Sequence, residues 1–491
     1  MFYTETRDGA VNITASQAIV NGISEDGGLY VPSSFPKLSP DDIDALRHLD
    51  YKELAAEIIS KFLDFDRDEL KKYCDAAYSR FDTDEVCPVV KTDEGTFILE
   101  LFHGPTLAFK DVALTLLPHL LTASAKKVGL DKKILILVAT SGDTGKAALE
   151  GFRDVDGTRV TVLYPEEGVS EMQKLQMRTQ EGNNVAVIGI KGNFDDAQSA
   201  VKRIFTDERM AGKLSDKGYV LSSANSINWG RLVPQIVYYF HAYLELVRKG
   251  EIKTGDKINF AVPSGNFGDI LAGYYAKLMG LPVNKLICAS NSNKVLTDFF
   301  ETGVYDKNRE FYKTISPSMD ILVSSNLERL LFEISDRDAR FVREKMDELK
   351  TSGKYVVPLD MLAKAGIAAG YADEEATKMA IDCFFDSYNY PLDTHTAVAV
   401  TVYNNYVAET GDFTPTVIVA TASPFKFPSD VYGALAHEKA SDPFIAADKL
   451  AFISGIKVPD AIRSLLTKNI VHDKVVEKDK IDEAVLSLTE E

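Results

Sequence analysis

"KILILVATSGDTGKAA" occupies Lys133–Ala148. Its first seven residues are almost unbroken aliphatic character, and they give way directly to hydroxyl and glycine residues, then to a helix-forming Lys-Ala-Ala. A continuous apolar run, as opposed to an alternating one, predicts a strand covered on both faces. The same short run recurs on either side: "TFILEL" (96–101), "RVTVLYP" (159–165), "NVAVIGI" (184–190), "YVLSS" (219–223), "KINFAVP" (257–263), "KLICAS" (285–290) and "TVIVAT" (416–421). Helical patterns such as "DDAQSAVKRIF" and "LVPQIVYYFHAYLELV" fall between several of them. Strands alternating with helices predict an α/β fold with mainly parallel sheets.

Upstream of residue 90 the style changes. "SPDDIDALRHLDYKELAAEIISKFLDF" reads as helices, with Ser39 as a cap, Pro40 at the first helical position and Leu54, Ile58 and Phe62 on one face. "EDGGLYVP" reads as a turn at its paired glycines. Residues 300–390 show no regular alternation. The tail "KDKIDEAVLSLTEE" reads as a surface helix or a frayed end.

The chain has 491 residues, 45% of them hydrophobic and 26% charged, which predicts a globular protein of two or three domains. Its formal net charge of −18 argues against nucleic acid or an anionic membrane as partner. No apolar run approaches a membrane span, and the N-terminus lacks a signal pattern, so a cytoplasmic location is expected. The four cysteines, Cys74, Cys87, Cys288 and Cys383, are far apart and read as reduced thiols. The histidines have no metal-ligand spacing, so no metal is expected.

In a parallel α/β fold, ligands gather beyond the carboxyl ends of the strands. There the sequence places "LFHGPTLAFKD", "TSGDTGKAA", "SANSINWGR", "SGNFGD" and "ASPFKFP". Loops of small and hydroxyl residues before a helix leave backbone N–H groups free for anions. "TSGDTGKAA" is not a nucleotide P-loop, because Gly142 and Gly145 enclose only two residues and Ala147 stands where a hydroxyl is needed. No G-x-S-x-G nucleophile elbow is present. Lys110 is the unusual residue. It follows Ala108 and Phe109 beyond an apolar strand, and a buried lysine loses its charge readily and becomes a nucleophile towards aldehydes. A nucleophilic lysine beside a phosphate-type loop suggests pyridoxal 5′-phosphate, which needs a lysine for its aldehyde, a nest for its phosphate and a partner for its ring nitrogen.

Taken together, "LFHGPTLAFKD", "ATSGDTGKAA", "NSINWGR" and "SGNFGD" resemble the threonine synthase family, in its longer form with an added N-terminal domain. "YTETRDG" and "GISEDGGLYVP" resemble that domain, and the resemblance covers roughly residues 1–430. It implies an N-terminal domain over 1–90, a pyridoxal-phosphate-binding region of two open α/β subdomains over 91–430, and a C-terminal helical extension over 431–491. The implied fold is that of fold type II pyridoxal phosphate enzymes, with the cofactor in a central cleft. The implied reaction, a carbon–oxygen lyase reaction, is γ-elimination and β-hydration of O-phospho-L-homoserine to L-threonine and phosphate, the last step of threonine biosynthesis. The expected partner is this small molecule, and the expected assembly a monomer or homodimer.

The resemblance also implies residue roles. Lys110 would bond the cofactor and act as base. Gly265, Asn266, Phe267 and Asp269 would cradle its phosphate, Asp269 through its backbone N–H. Thr421 would lie near the ring nitrogen. Asp143 would lie near the cofactor, in a loop where Ser141, Gly142 and Thr144 meet the substrate. Asn225, Ser226 and Arg231 would grip the substrate phosphate, Arg231 through its planar fork. One departure stands out: "DVALTLLPHLL" follows Lys110 where the family form is closer to D-F-G-G, which predicts repacking behind the lysine. The alternatives are a phospho-lyase releasing 2-oxobutanoate, ammonia and phosphate, and a non-catalytic cofactor-binding regulator. A serine- or threonine-dehydrating enzyme of this fold is disfavoured by the Asn225–Arg231 stretch.

Overall fold

The computed structural model describes residues 1–140, 142–166, 169–192 and 194–489. Two sheets dominate. The larger has the order Ile367–Tyr371, Val283–Ser290, Ile258–Pro263, Thr416–Ala420, Thr96–Glu100, Val89–Asp93, and every pairing is parallel except the last. The smaller has the order Val475–Val476, Val185–Ile190, Thr158–Pro165, Lys133–Ala139, Tyr219–Ser222 and is parallel throughout. Thr158–Pro165, Val185–Ile190 and Ile258–Pro263 are buried along their whole length, as unbroken aliphatic runs require. Val89–Asp93 escaped the sequence reading because it is an edge strand. Only Val89 in it is buried, Lys91 and Asp93 are exposed, and Gly95 at φ +74° turns it back into Thr96–Glu100.

The N-terminal residues form a three-stranded antiparallel sheet of Phe2–Glu5, Ile13–Thr14 and Tyr30–Pro32, followed by helices. Ser39 caps the Pro40–Leu46 helix in a reciprocal bond with Asp42, with Pro40 in its first turn. Leu54, Ile58 and Phe62 are all fully buried. Phe62 packs on Trp229, which also meets Tyr3 and Tyr275, so this aromatic cluster joins the N-terminal sheet to the main body. The Trp229–Arg248 helix is buried from Trp229 to Leu244 and is the central support of the larger lobe.

Residues 300–390 resisted reading because their strands are short or half-exposed. Val304–Asp306 and Lys354–Val356 form a separate two-stranded ribbon, and Ile367–Tyr371 is the partly exposed edge of the large sheet. The C-terminal segment is mostly helical, and Val475–Val476 adds one strand to the small sheet. Its last helix, Ile481–Ser487, is a surface helix with Glu483 exposed, and it buries Ile481, Ala484 and Val485 among the aliphatic residues of that sheet and its helices. Apolar residues at i, i+3 and i+4 give it the stripe that docking requires.

Candidate active site

The carboxyl ends of both sheets open onto one cavity of about 1190 Å³. Lys110, Asp143, Thr144, Asn225, Ser226 and Arg231 line it, together with the 264–270 loop and Thr421. Of the residues expected in the site, only Ser141 lies outside the described residues. Gly142 is not among the residues lining the cavity; its φ of +154° starts the Asp143–Phe152 helix and its N–H bonds the Thr140 hydroxyl at 3.0 Å.

The segment around Lys110 is a closed local structure. Asp111 is not on the surface: it is 1% exposed and accepts the Thr106 N–H at 2.7 Å and the Thr106 hydroxyl at 2.6 Å. Gly104 is obligatory there, because a Cβ would stand 2.4 Å from that of Asp111. Leu107 takes φ +62°, and the N–H of Phe109 bonds the Thr421 carbonyl at 2.8 Å, which ties the lysine turn to the end of Thr416–Ala420. The departure after Lys110 is pure packing: Val112, Leu114, Leu116, Leu117, Leu120 and Leu121 are all fully buried.

Lys110 itself is 7% exposed. Burial pushes its pKa down; Asp143 pulls it back up, and Arg231 and Lys426 add to the fall. Its Nζ donates to the Ser318 hydroxyl at 3.2 Å and stands 3.6 Å from Asp143 Oδ2. Ser318 in turn donates to Asp143 Oδ2 at 3.2 Å. Asp143 Oδ1 meets Lys426 Nζ at 3.3 Å and accepts from Gln173 at 3.1 Å. Burial opposes the charge of Asp143, yet Lys426 and then Lys110 hold its pKa well below the usual carboxylate range. The contacts of Asp143, left open by the sequence, are thus two lysines, a serine and a glutamine.

The 264–269 loop is the first candidate anion cradle. Phe267 takes φ +63° at the start of the Gly268–Met279 helix, a conformation uncommon for a non-glycine residue. The N–H groups of Gly265–Asp269 make no hydrogen bond among the described residues and lie at the cavity. A Cβ on Gly265 would come within 2.9 Å of the Ser318 carbonyl, so the loop can approach that segment only as glycine. The Asp269 carboxylate faces away, with Oδ1 accepting from Tyr238 at 2.6 Å and Tyr239 at 2.8 Å. Burial pushes its pKa up to about 6.

Arg231 is a second candidate anion position. It is 5% exposed, and its Nη1 donates to the Ala224 carbonyl at 2.9 Å. Its Nε is buried with no partner, and no carboxylate pairs with it among the described residues. Burial lowers its pKa to about 10. Beside it, the Ser226 hydroxyl accepts from Asn326 at 3.1 Å, and the Asn225 N–H bonds the Ser223 hydroxyl at 3.1 Å. Asn326 also bonds the Asn266 carbonyl through its amide N–H and its side chain, linking the two anion positions.

Sequence reasoning missed Ser318, Lys426, Gln173 and His395. Ser318 and His395 had no signal. The His395 Nε2 accepts the Ser318 N–H at 3.2 Å and its Nδ1 faces Asp393 Oδ1 at 2.9 Å, so its proton lies on Nδ1. Lys426 did have a signal: in "ASPFKFP" it follows a phenylalanine just beyond a strand end, as Lys110 does. Among the described residues no cluster of His, Cys, Asp or Glu could hold a metal, and no helix is long and apolar enough to cross a membrane.

A buried lysine prone to lose its proton, an unfilled nest of amides and a small-residue cleft between parallel sheets suit pyridoxal phosphate, and residues 90–423 match the family model of the pyridoxal-phosphate dependent enzymes. Residues 2–78 match the threonine synthase N terminus and residues 396–477 the threonine synthase C-terminal region. The chain belongs to the threonine synthase family of pyridoxal-phosphate dependent enzymes. It is 40% identical to threonine synthase of Pseudomonas aeruginosa over 88% of this chain and 90% of that one. The crystal structure of pyridoxal-phosphate-bound threonine synthase from Brucella melitensis superposes with a TM-score of 0.88 at 38% identity, covering 100% of both chains. Human threonine synthase-like 1 is 41% identical over 86% of this chain, and the chain spans only 58% of that protein's length.

Proposed function

We propose that this protein is a threonine synthase, converting O-phospho-L-homoserine and water to L-threonine and phosphate with pyridoxal phosphate bonded to Lys110. The carrying observation is Arg231, a buried guanidinium without an acid among the described residues, in the same cavity as a buried lysine and a separate nest of amides that make no hydrogen bond among those residues. One anion site suffices for the cofactor. The second calls for a substrate with its own phosphate.

When bound, the cofactor supplies a conjugated ring that stabilises negative charge on the carbon beside the substrate nitrogen. The amides of Gly265, Asn266, Phe267 and Asp269 would hold its phosphate, and Thr421 would offer the ring nitrogen a neutral hydroxyl, which does not enforce a proton there as a carboxylate would. Asp143 stays ionised beside Lys110. The neutral amine of Lys110 takes the proton from the substrate α carbon and serves as proton carrier for the later steps at the β and γ carbons. Arg231, with Asn225, Ser226 and Thr144, holds the substrate phosphate and meets its charge as it leaves. Ser141, Gly142 and Thr144 hold the substrate carboxylate end. The free thiols suit the cytoplasm as compartment.

Incubating the chain and pyridoxal phosphate with O-phosphohomoserine, and assaying threonine, 2-oxobutanoate and phosphate together, tests this reading. Threonine equal to phosphate is the expected result. 2-Oxobutanoate equal to phosphate would make the protein a phospho-lyase, and absence of phosphate would count against both.

A further inference from the structure

Lys426 lies at the bottom of the site with a fully buried side chain. Its Nζ donates to the Thr106 carbonyl at 2.6 Å and stands 3.3 Å from Asp143 Oδ1, on the opposite carboxylate oxygen from Lys110. Two lysines therefore share one carboxylate. If both were charged, this buried trio would carry a net positive charge, whereas one ammonium, one carboxylate and one neutral amine balance. The geometry indicates which lysine keeps its proton. Lys426 is held by a carbonyl and a carboxylate, both acceptors only. Lys110 faces a serine hydroxyl, a longer carboxylate contact of 3.6 Å and the open cavity.

We propose that Lys426 is a positioning residue, the standing counter-ion of Asp143, which leaves Lys110 free to shed its proton and act as an amine. This rests on the reading of Lys110 as the cofactor's lysine. The surrounding charges agree with it. Arg231 is the other cation facing Lys110, and His395 faces Asp143. Beyond Lys426 stand Asp111, whose carboxylate oxygens are occupied by Thr106, and Lys146, which pairs with Glu150. Asp111 is thus the other acid whose charge reaches Lys426, but its oxygens are taken up by Thr106; among the described residues Asp143 is the carboxylate that pairs with both lysines.

The test measures the neutral amine of Lys110 directly, in the cofactor-free full chain, by carbamylation with cyanate across pH and peptide mass spectrometry. Cyanate is small, attacks only unprotonated amines and needs no cofactor site. In Lys426→Met, Lys110 must become the sole ion partner of Asp143, so its pH midpoint should rise and its rate at pH 7 fall by about tenfold or more. Lys426→Arg should stay within about twofold of wild type. Asp143→Asn should act oppositely, leaving Lys110 beside an uncompensated Lys426 and moving its midpoint to lower pH. A wild-type midpoint in Lys426→Met, or an upward shift in Asp143→Asn, would overturn the proposal; should Lys426→Met fail to fold, Lys426→Gln, which also removes the charge and keeps a donor for the Thr106 carbonyl, is measured in its place, and a wild-type midpoint there would overturn the proposal equally. Wild-type chain treated with pyridoxal phosphate and borohydride must separately carry the cofactor's mass on Lys110. Failure there defeats the functional reading, whereas failure of the cyanate shifts defeats only the role of Lys426.

Discussion

Lys110 and Arg231 are both buried basic residues on the wall of one cavity, yet their surroundings are opposite. Lys110 sits in a network centred on Asp143, which Ser318, Lys426 and Gln173 each contact, while Lys110 donates to Ser318. Among the described residues Arg231 has a single carbonyl partner, a buried Nε with none and no acid. A buried charge without compensation is costly, and on the proposed function the substrate phosphate would supply the counter-charge. The network around Lys110 would instead set a protonation state, so that one region does chemistry on a proton and the other binds an anion.

The largest effect should come from the network around Lys110. Lys110→Ala removes both the anchor for the cofactor's aldehyde and the base, so turnover of O-phosphohomoserine should fall by at least about a thousandfold. Cofactor should then be retained only by the amides of 265–269, so it should dialyse away faster than from wild type. Retained turnover, or borohydride labelling of a different lysine, would place the chemistry elsewhere.

Arg231→Ala should have the next largest effect and a different kind. Losing one charged partner of an enclosed anion costs roughly 2–5 kcal/mol, on the order of 30- to several-thousand-fold in kcat/KM for the phosphorylated substrate. Cofactor binding should be unaffected, and slow side reactions with serine, which has no phosphate, should change little. Loss of pyridoxal phosphate with intact substrate affinity would show that the two anion positions have been given the wrong ligands. No change in either would make Arg231 a purely structural cation.

The same contrast explains what was legible in the sequence. The parallel strands announce themselves because two-sided burial demands unbroken aliphatic runs, and the site loops follow because they adjoin strand ends. Lys110 stands out because its neighbours are apolar. The groups that complete the network come from where pattern is weakest. Ser318 lies in a single turn within the irregular 300–390 stretch, and Gln173 is a polar residue on a helix 30 positions from the Asp143 it serves. Their roles are set by tertiary approach, such as that of Gly265 to the Ser318 carbonyl, which no local periodicity records. The C-terminal strand was hidden by its length of two residues.

Asp269 extends the comparison to a buried acid and should give the smallest effect. It is an anion without a cation: its Oδ1 accepts from two tyrosines and its Oδ2 is buried with no partner. Burial accordingly raises its pKa to about 6, against about 3.9 for an unfolded aspartate. The folded state therefore holds this proton more tightly. Its contribution to stability is complete below about pH 4 and is lost as the pH rises through about 6, above which the buried charge is a net cost. Asp269→Asn keeps an oxygen for Tyr238 and Tyr239 and never ionises. The variant should match wild type in thermal stability near pH 4 and exceed it at pH 7 to 8, by about 1–3 kcal/mol at most. A difference that does not vary between pH 4 and 8, or an asparagine variant weaker than wild type at neutral pH, would mean that the helix N-terminus beneath the amide nest stabilises the carboxylate as an anion. In that case the nest would already have its negative charge within the chain, and the 265–269 loop would lose its claim on the cofactor phosphate.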